Sequence, residues 1–426
     1  MMPTIITKPA VNEKTQSIDQ PLKDIELMIV ICELHFRGFG HAQFNAALVT
    51  MVAEAFPEGG LIFCAEREHL NQVKKGVDTR VATVRFIEVE LPDRALREEQ
   101  RGRRLPFAAL REELVLYRRI FRLADKNRAS QIVLCTAAHR NDLVIIKVML
   151  RRFSQISCLV VLHDLQDKIS TPQPKRLTPQ FLSYRHWLLA GNTSQIHYLL
   201  PGPPPLMELG LKNYLPRLHN CISPIDTPYV FADFASSEPF KDDAIHFGFY
   251  GHASLRKGAD IFFKLANEVS SKRTKYRPIF VLIGDIRDEQ LKEMQHTSVN
   301  IPVPDEPLTQ EEYDKYAKRI DYALFFHVAS AYELNGTAAM LDAFSHLKPI
   351  IALKTPLSEY YFNKMGDIGY LCQSYDDVKN AVLDVLETKP IGRYGCQQDN
   401  ILARRDQFSP AGIAPELRVL LRQKVY

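Results

Sequence analysis

Residues 327–356 read HVASAYELNGTAAMLDAFSHLKPIIALKTP, and the order of elements in this stretch decides the fold. The apolar run 322–327 suits a buried strand, a small polar loop closes on Asn335-Gly336-Thr337, and Met340, Leu341, Phe344 and Leu347 then recur at helical spacing. A second apolar run, 350–353, follows Lys348-Pro349. Strand, loop, helix, strand is a crossover between two buried parallel strands, so the helix starts at the carboxyl edge of the sheet. Open α/β sheets bind their ligands at that edge.

The loop chemistry points the same way. Gly336 would let a ligand approach the backbone, Thr337 offers a hydroxyl, and the amides of a first helical turn favour an anion such as phosphate. The same residues also describe an ordinary helix start with Asn335 or Thr337 as its cap. Their neighbours along the chain have to decide.

Upstream, residues 245–250 predict a strand, GHASLRKG (251–258) a polar loop and 259–270 an amphipathic helix, and the next strand, 278–283, ends in Gly284-Asp285. Arg256 and Lys257 therefore precede a helix at the carboxyl edge, one a forked donor and the other a point charge, as a diphosphate requires. A short strand at 299–303 and a helix at 309–319 follow, the helix opening on Thr309 with Glu312 three residues on, a capping-box pattern. After a strand at 367–371 and a helix at 376–386, the chain closes on a helical stretch that would fold back across the cleft.

The front half repeats the design. Residues 25–34 predict a strand, HFRGFGHA (35–42) a glycine-bearing loop and 44–56 a helix; Gly38 and Gly40 serve either a tight turn or a ligand, with His35, Arg37 and His41 crowding the same loop. Strands at 60–64, 85–91, 131–136 and 156–162 alternate with helices that include 107–127 and 141–153, which means a parallel sheet covered on both faces. The strand 157–162 ends in His163-Asp164. A histidine there is either a structural hydrogen-bonding group or one that orients and deprotonates a hydroxyl, with Asp164 fixing its tautomer if the backbone bends them together.

The Pro-rich stretch 200–205, LPGPPP, and the mixed segment 219–243 read as irregular chain leading to a boundary near Asp243. The division expected is a flexible extension at 1–24, an N-terminal domain at 25–243, a C-terminal domain at 244–404 and a terminal helix at 405–426 packing back on the N-terminal domain. With 426 residues, 46% of them hydrophobic, there is enough chain for two cores.

A net charge of +4 is too small to imply nucleic acid by itself, and no aromatic-plus-basic motif of the known RNA-binding kinds is present. Seven scattered cysteines without paired spacing imply reduced thiols and no metal-ligand framework. The first twenty residues hold no signal-peptide core, and no apolar run is long enough to span a bilayer, so the expected location is cytoplasmic. Residues 94–128 carry ten arginines and Lys126 against five acids, with Leu105, Phe107, Leu110, Leu114, Tyr117, Phe121 and Leu123 interleaved. Such a segment either lies on anionic lipid at the inner face of the membrane or is a helix with one face in the core and its charges in water.

Four stretches together carry a resemblance: GHASLRKGADIFFKLANEV, VLIGD, YELNGTAAMLDAFSHLKPIIAL and QFSPAGIAPEL. They resemble the donor-binding half of GT-B glycosyltransferases, the family-four-like bacterial enzymes that build exopolysaccharides; ELHFRGFGHAQFN and VVLHDL are similar to that family's N-terminal loop and strand-end histidine. The resemblance implies an α/β fold of two Rossmann-like domains facing across a cleft. It implies transfer of a hexose from a nucleotide-diphosphate sugar to an acceptor hydroxyl, with no metal or other cofactor.

Carried residue by residue, the likeness gives the donor diphosphate to Arg256 and Lys257, with Asn335, Gly336 and Thr337 cradling it, the ribose to Asp342 and the sugar to Glu333. His252 stands where many relatives keep an arginine, and eight residues rather than seven separate Glu333 from Asp342. Gly38, Gly40 and His41 would face the acceptor; His163, Asp164 or His41 would be the base if the anomeric centre inverts, and the donor phosphate would take the proton if it is retained. The NGT form resembles a branch acting on lipid-linked oligosaccharides. A non-catalytic scaffold of the same fold, or a sugar-nucleotide epimerase, is the alternative.

Overall fold

The computed structural model describes residues 27–77, 83–92, 107–170, 183–218, 220–232, 240, 243–286, 288–294, 297–302 and 308–422. The expected extension, 1–24, and residues 94–106 of the basic segment lie outside them.

The front half contains β1 (Met28–Cys32), α1 (Ala42–Ala55), β2 (Gly60–Ala65), α2 (Arg67–Gly76), β3 (Val84–Glu88), α3 (Phe107–Lys126), β4 (Gln131–Leu134), α4 (Arg140–Arg152) and β5 (Ser157–Val161). It continues through α5 (Leu165–Ser170), α6 (Tyr184–Leu189), β6 (Ile196–Pro201), α7 (Pro204–Tyr214) and β7 (Ile222–Ile225). The strands form one parallel sheet in the order β3-β2-β1-β4-β5-β6-β7. Both faces are covered, so β1 reads MIVIC and is buried throughout rather than alternating.

The second half holds β8 (Ala244–Tyr250), α8 (Ala259–Ser270), β9 (Arg277–Ile283), α9 (Glu289–Lys292), β10 (Val299–Asn300), α10 (Gln310–Arg319), β11 (Tyr322–Phe325) and α11 (Ala339–Ser345). Then come β12 (Ile350–Leu353), α12 (Pro356–Met365), β13 (Gly369–Cys372), α13 (Tyr375–Thr388), α14 (Ile391–Arg404) and α15 (Pro410–Arg422). Its parallel sheet runs β10-β9-β8-β11-β12-β13. In each sheet the chain starts in the middle, builds to one side, then crosses to the other, so the strand order reverses between β1 and β4 and again between β8 and β11. Those two switch points are where such sheets open a crevice.

Local chemistry accounts for the helix starts. Thr309 caps α10 and Glu312 bonds back to the Thr309 amide at 3.0 Å, the capping box read from the sequence. Gly258 enters α8 with φ 73°, and a Cβ there would meet the Phe326 carbonyl oxygen at 2.4 Å, so only glycine fits.

Two readings of the middle of the chain need correction. Residues 200–201 and 222–225, expected as irregular chain, belong to β6 and β7; Pro224 is tolerated because β7 is the edge strand, where a missing N–H breaks no interior ladder. The prolines at 204 and 205 start α7 rather than prolonging a loop, since the first helical turn needs no N–H partner. For α3 the two readings of the sequence are decided at Tyr117 and Phe121: both are fully buried against the first sheet, as in a helix with one face in the core.

Several contacts join the halves. Helix α15 lies against α1, with Ile413, Ala414, Leu417 and Leu421 in the cluster built on β1 and α1 of the front half. Beside the crevice, Gln166 of α5 donates its amide to Asn335 Oδ1 at 3.2 Å and accepts from the Leu334 amide at 2.9 Å.

Candidate functional site

At the first switch point the organising residue is Glu33, fully buried just after β1. Its carboxylate accepts from the amides of His35 (2.7 Å) and Phe36 (3.2 Å), from Asn45 Nδ2 (3.2 Å) and from Thr136 Oγ1 (2.9 Å). Four donors from three elements fix the loop after β1 against the end of β4. That loop carries Gly38, at φ 57°, whose carbonyl accepts from His69 Nδ1 at 2.9 Å, and exposed Gly40.

His41 follows in the left-handed region at φ 59°. Its ring stacks on Phe36 at 4.0 Å and meets the edge of His163 at 4.8 Å, so two of the expected acceptor-side histidines do come together. Burial lowers both, with Glu33 partly offsetting the effect on His41 and His41 adding to it on His163. His163 is thus a neutral imidazole whose Nε2–H donates to the Cys135 carbonyl at 3.1 Å, leaving Nδ1 as acceptor. Cys135, not Asp164, sets that tautomer. Asp164 has φ 49° and turns away to stand 3.9 Å from Arg256 of the other half.

The same edge holds a pair that no motif announced. His35 Nε2 lies 3.0 Å from the carboxylate of Asp142, at the start of α4, and that carboxylate also accepts from Tyr117 OH (3.0 Å) and the His139 amide (2.8 Å). Burial pushes the Asp142 carboxyl up, but the His35 and His139 imidazoles and the hydrogen bonds outweigh it and hold it well below the usual carboxylate range. A carboxylate so fixed orients the His35 ring as a base-orienting acid does. In sequence the two are too far apart to read as a pair; the one local trace is the capping box of α4, in which Asp142 serves His139.

The second switch point is cationic. Arg256 and Lys257 lie in a single 3-10 turn, 255–257, between β8 and α8. Lys257 Nζ packs against Gly251, where a Cβ would be 2.9 Å away. Half-buried His252 lies in the same loop, ahead of that turn. Arg256 reaches across to the front half and pairs with Asp167 of α5 at 2.6 Å, its guanidinium also 5.8 Å from the centre of the Tyr332 ring. His327, at the end of β11, is pushed down to about 3 by burial and by the charges of Lys257 and Arg256.

The loop before α11 differs from its reading. The helix starts at Ala339, and Asn335 and Gly336 are spent on the front half. A Cβ on Gly336 would stand 2.8 Å from the Pro201 carbonyl and 3.0 Å from Thr227 Oγ1, so the glycine admits a close approach of the front half. Thr337 Oγ1 accepts from the Ala339 amide at 3.3 Å.

Asp342 and Glu333 face different ways. Asp342 accepts from Tyr229 OH at 2.6 Å and Tyr313 OH at 3.1 Å; burial raises its carboxyl, and the two tyrosines and the nearby Lys257 charge limit the rise. Glu333 instead accepts from Tyr214 OH of α7. Beside it, a cavity of about 90 Å³ opens between α7 and the starts of the loops after β11 and β12, lined by Leu206, Leu209, His327, Tyr332, Glu333 and Leu357. Among the described residues no cluster of histidine, cysteine, aspartate and glutamate has a metal-binding arrangement.

No family model matches the chain, and no curated protein does. Solved structures match along almost its whole length. HepE from Anabaena, in complex with UDP-glucose, is 12% identical with a TM-score of 0.59, over 93% of this chain and 100% of that one. A glycosyltransferase from Rickettsia africae is 9% identical with a TM-score of 0.59, over 94% and 99%. WaaG, a glycosyltransferase involved in lipopolysaccharide biosynthesis, is 10% identical with a TM-score of 0.54, over 92% and 99%. The two sheets and their order are those of the GT-B fold.

Proposed function

On the premise of a GT-B fold, we propose that the protein is a glycosyltransferase that moves a hexose from a nucleotide-diphosphate sugar to an acceptor hydroxyl. The observation that carries this reading is the placement of Arg256 and Lys257 at the β8–β11 switch point, opposite the histidine and carboxylate cluster at the β1–β4 switch point. Arg256 is satisfied by carboxylates borrowed from the other half. A diphosphate offers the same kind of acceptor with more charge, and Lys257 beside it would stabilise the negative charge that builds on the leaving group.

Within this reading His252 and Thr337 border the donor, Asp342 with its tyrosines takes the ribose side, and Glu333 and the small cavity take the sugar side. Gly38, Gly40 and His41 border the acceptor. The proton of the attacking hydroxyl goes to a base: His163, with an open Nδ1, or His35, held by Asp142. Asp164 contributes through Arg256 rather than as a base. The acceptor we propose is a lipid-linked saccharide of bacterial polysaccharide synthesis, met at the cytoplasmic face of the membrane.

The test is nucleotide release from a panel of UDP- and GDP-sugars with a membrane extract as acceptor source, for the wild-type chain and Lys257→Ala. Release that depends on the extract and disappears in the variant supports transfer. Tight nucleotide binding without turnover of any donor would point to the scaffold reading, and interconversion of free donor without acceptor to an epimerase.

A further inference from the structure

We infer that the outer face of α3, continued by the end of α4, docks the protein on an anionic bilayer with the mouth of the cleft toward the head groups. Helix α3 is two-sided. Leu116, Tyr117, Ile120, Phe121 and Ala124 are buried against the sheet, while Arg111, Arg118, Arg119 and Arg122 are exposed along the opposite stripe. Between those arginines stand Leu114 and Val115, 39% and 45% exposed. Helix α4 packs beside α3 and adds exposed Arg151 and Arg152 and the 46% exposed Val148; Gln155 Nε2 bonds Asp125 Oδ1 at 2.6 Å, which joins the far ends of the two helices.

Six exposed arginines on one surface, none ion-paired among the described residues, call for an anionic partner. The acids on the stripe are Glu112 and Asp125. What selects a bilayer over a nucleic acid or an acidic protein loop is the apolar component. Leucine and valine spaced between cations give nothing to a phosphodiester backbone, but they enter the boundary between head groups and acyl chains while the arginines stay with the phosphates.

The orientation follows from chain direction. In a parallel sheet the crossover helix runs back from the carboxyl edge, so the first turns of α3, with Arg111, Leu114 and Val115, lie nearest the edge that carries His35 and His163. A flank about 30 Å long then rests on the lipid and holds the cleft edge at head-group level. An acceptor sugar carried on a lipid would reach the cleft without leaving the membrane. This last step rests on the transferase reading; the docking does not.

The experiment is co-sedimentation of the full chain with phosphatidylcholine vesicles, with and without phosphatidylglycerol, at low and high salt, beside titration of UDP and GDP into the same preparations. The wild type should sediment only with the anionic vesicles, and less so in high salt. Each arginine contributes roughly fivefold in partitioning, so Arg118→Glu with Arg122→Glu should lower it by well over tenfold with nucleotide binding unchanged. Leu114→Ser with Val115→Ser should remove the part that survives high salt. Failure of the wild type to bind anionic vesicles at low salt, indifference to the charge reversal, or capture of an RNA oligonucleotide in preference to vesicles would overturn the proposal. Loss of nucleotide binding in Lys257→Ala with sedimentation intact would separate this face from the donor site.

Discussion

The two switch points share a topology and differ in how their polar groups are satisfied. Between β1 and β4 the groups satisfy one another: Glu33 takes four donors, Asp142 takes Tyr117, His139 and His35, and His163 has its own carbonyl. Between β8 and β11 the turn carries two adjacent cations, and Arg256 reaches into the opposite half to pair with Asp164 and Asp167. One edge is built rigid and the other is built charged. For two substrates, one gripped by its phosphates and one aimed by a single hydroxyl, that is the useful division of labour.

If the first edge is rigid because its polar groups interlock, removing one should cost stability on the scale of a broken buried ion pair. Asp142→Ala strips His35, Tyr117 and the His139 amide of their common acceptor, and we expect a loss of about 3–5 kcal/mol in urea unfolding. A loss below 1 kcal/mol would mean the cluster is decorative. The charged edge should behave in the opposite sense: Lys257→Ala should leave the unfolding midpoint nearly unchanged and lower donor turnover by about 10²–10³-fold. A variant that unfolds early instead would place Lys257 among the structural residues and erase the contrast.

Acid pH probes both edges at once. His163 and His327 are neutral in the folded protein with their protonation pushed well down, His327 to about 3. The unfolded chain binds protons at these positions once pH falls below about 6.5, so the unfolded state holds more protons and stability must fall with pH. Between pH about 6.5 and 4.5, above the range where carboxylates titrate, each contributes a slope of about 1.4 kcal/mol per pH unit at most. His327→Asn should remove its share of the slope. A slope unchanged by that substitution would show that His327 is protonated in the fold.

How much of this was legible in the chain depended on whether the deciding information was local. Helical and strand periods placed β8, α8, β9 and β12 within a residue or two, because a buried parallel strand reads as an unbroken apolar run. Proline hid β6, β7 and the start of α7, since its cost in a sheet or helix depends on edge and terminus, which are properties of the assembled fold. Arg256 and Lys257 stood out because two cations after a strand are visible in one line of sequence. Whether Gly336 meets a ligand or the turn after β6 is not written near Gly336 at all, and the His35–Asp142 pair exists only once β1 and β4 lie side by side.

The contact between the two edges gives the smallest effect and the finest discrimination. Arg256 pairs with Asp167, both partly exposed, at 2.6 Å, and such a pair is worth about 0–1 kcal/mol. If the carboxylate stands in for donor phosphate, it competes with the donor, and Asp167→Asn should tighten binding of UDP or GDP by up to about fivefold in calorimetric titration. If Asp167 instead holds the guanidinium in the orientation the diphosphate needs, the same substitution should weaken binding by a similar factor. The sign decides whether the front half shields the charged edge or tunes it. Because the pair also ties α5 to the turn after β8, a tighter-binding variant should in addition show faster proteolytic cleavage between the halves when no nucleotide is present, and that difference should vanish once nucleotide is added.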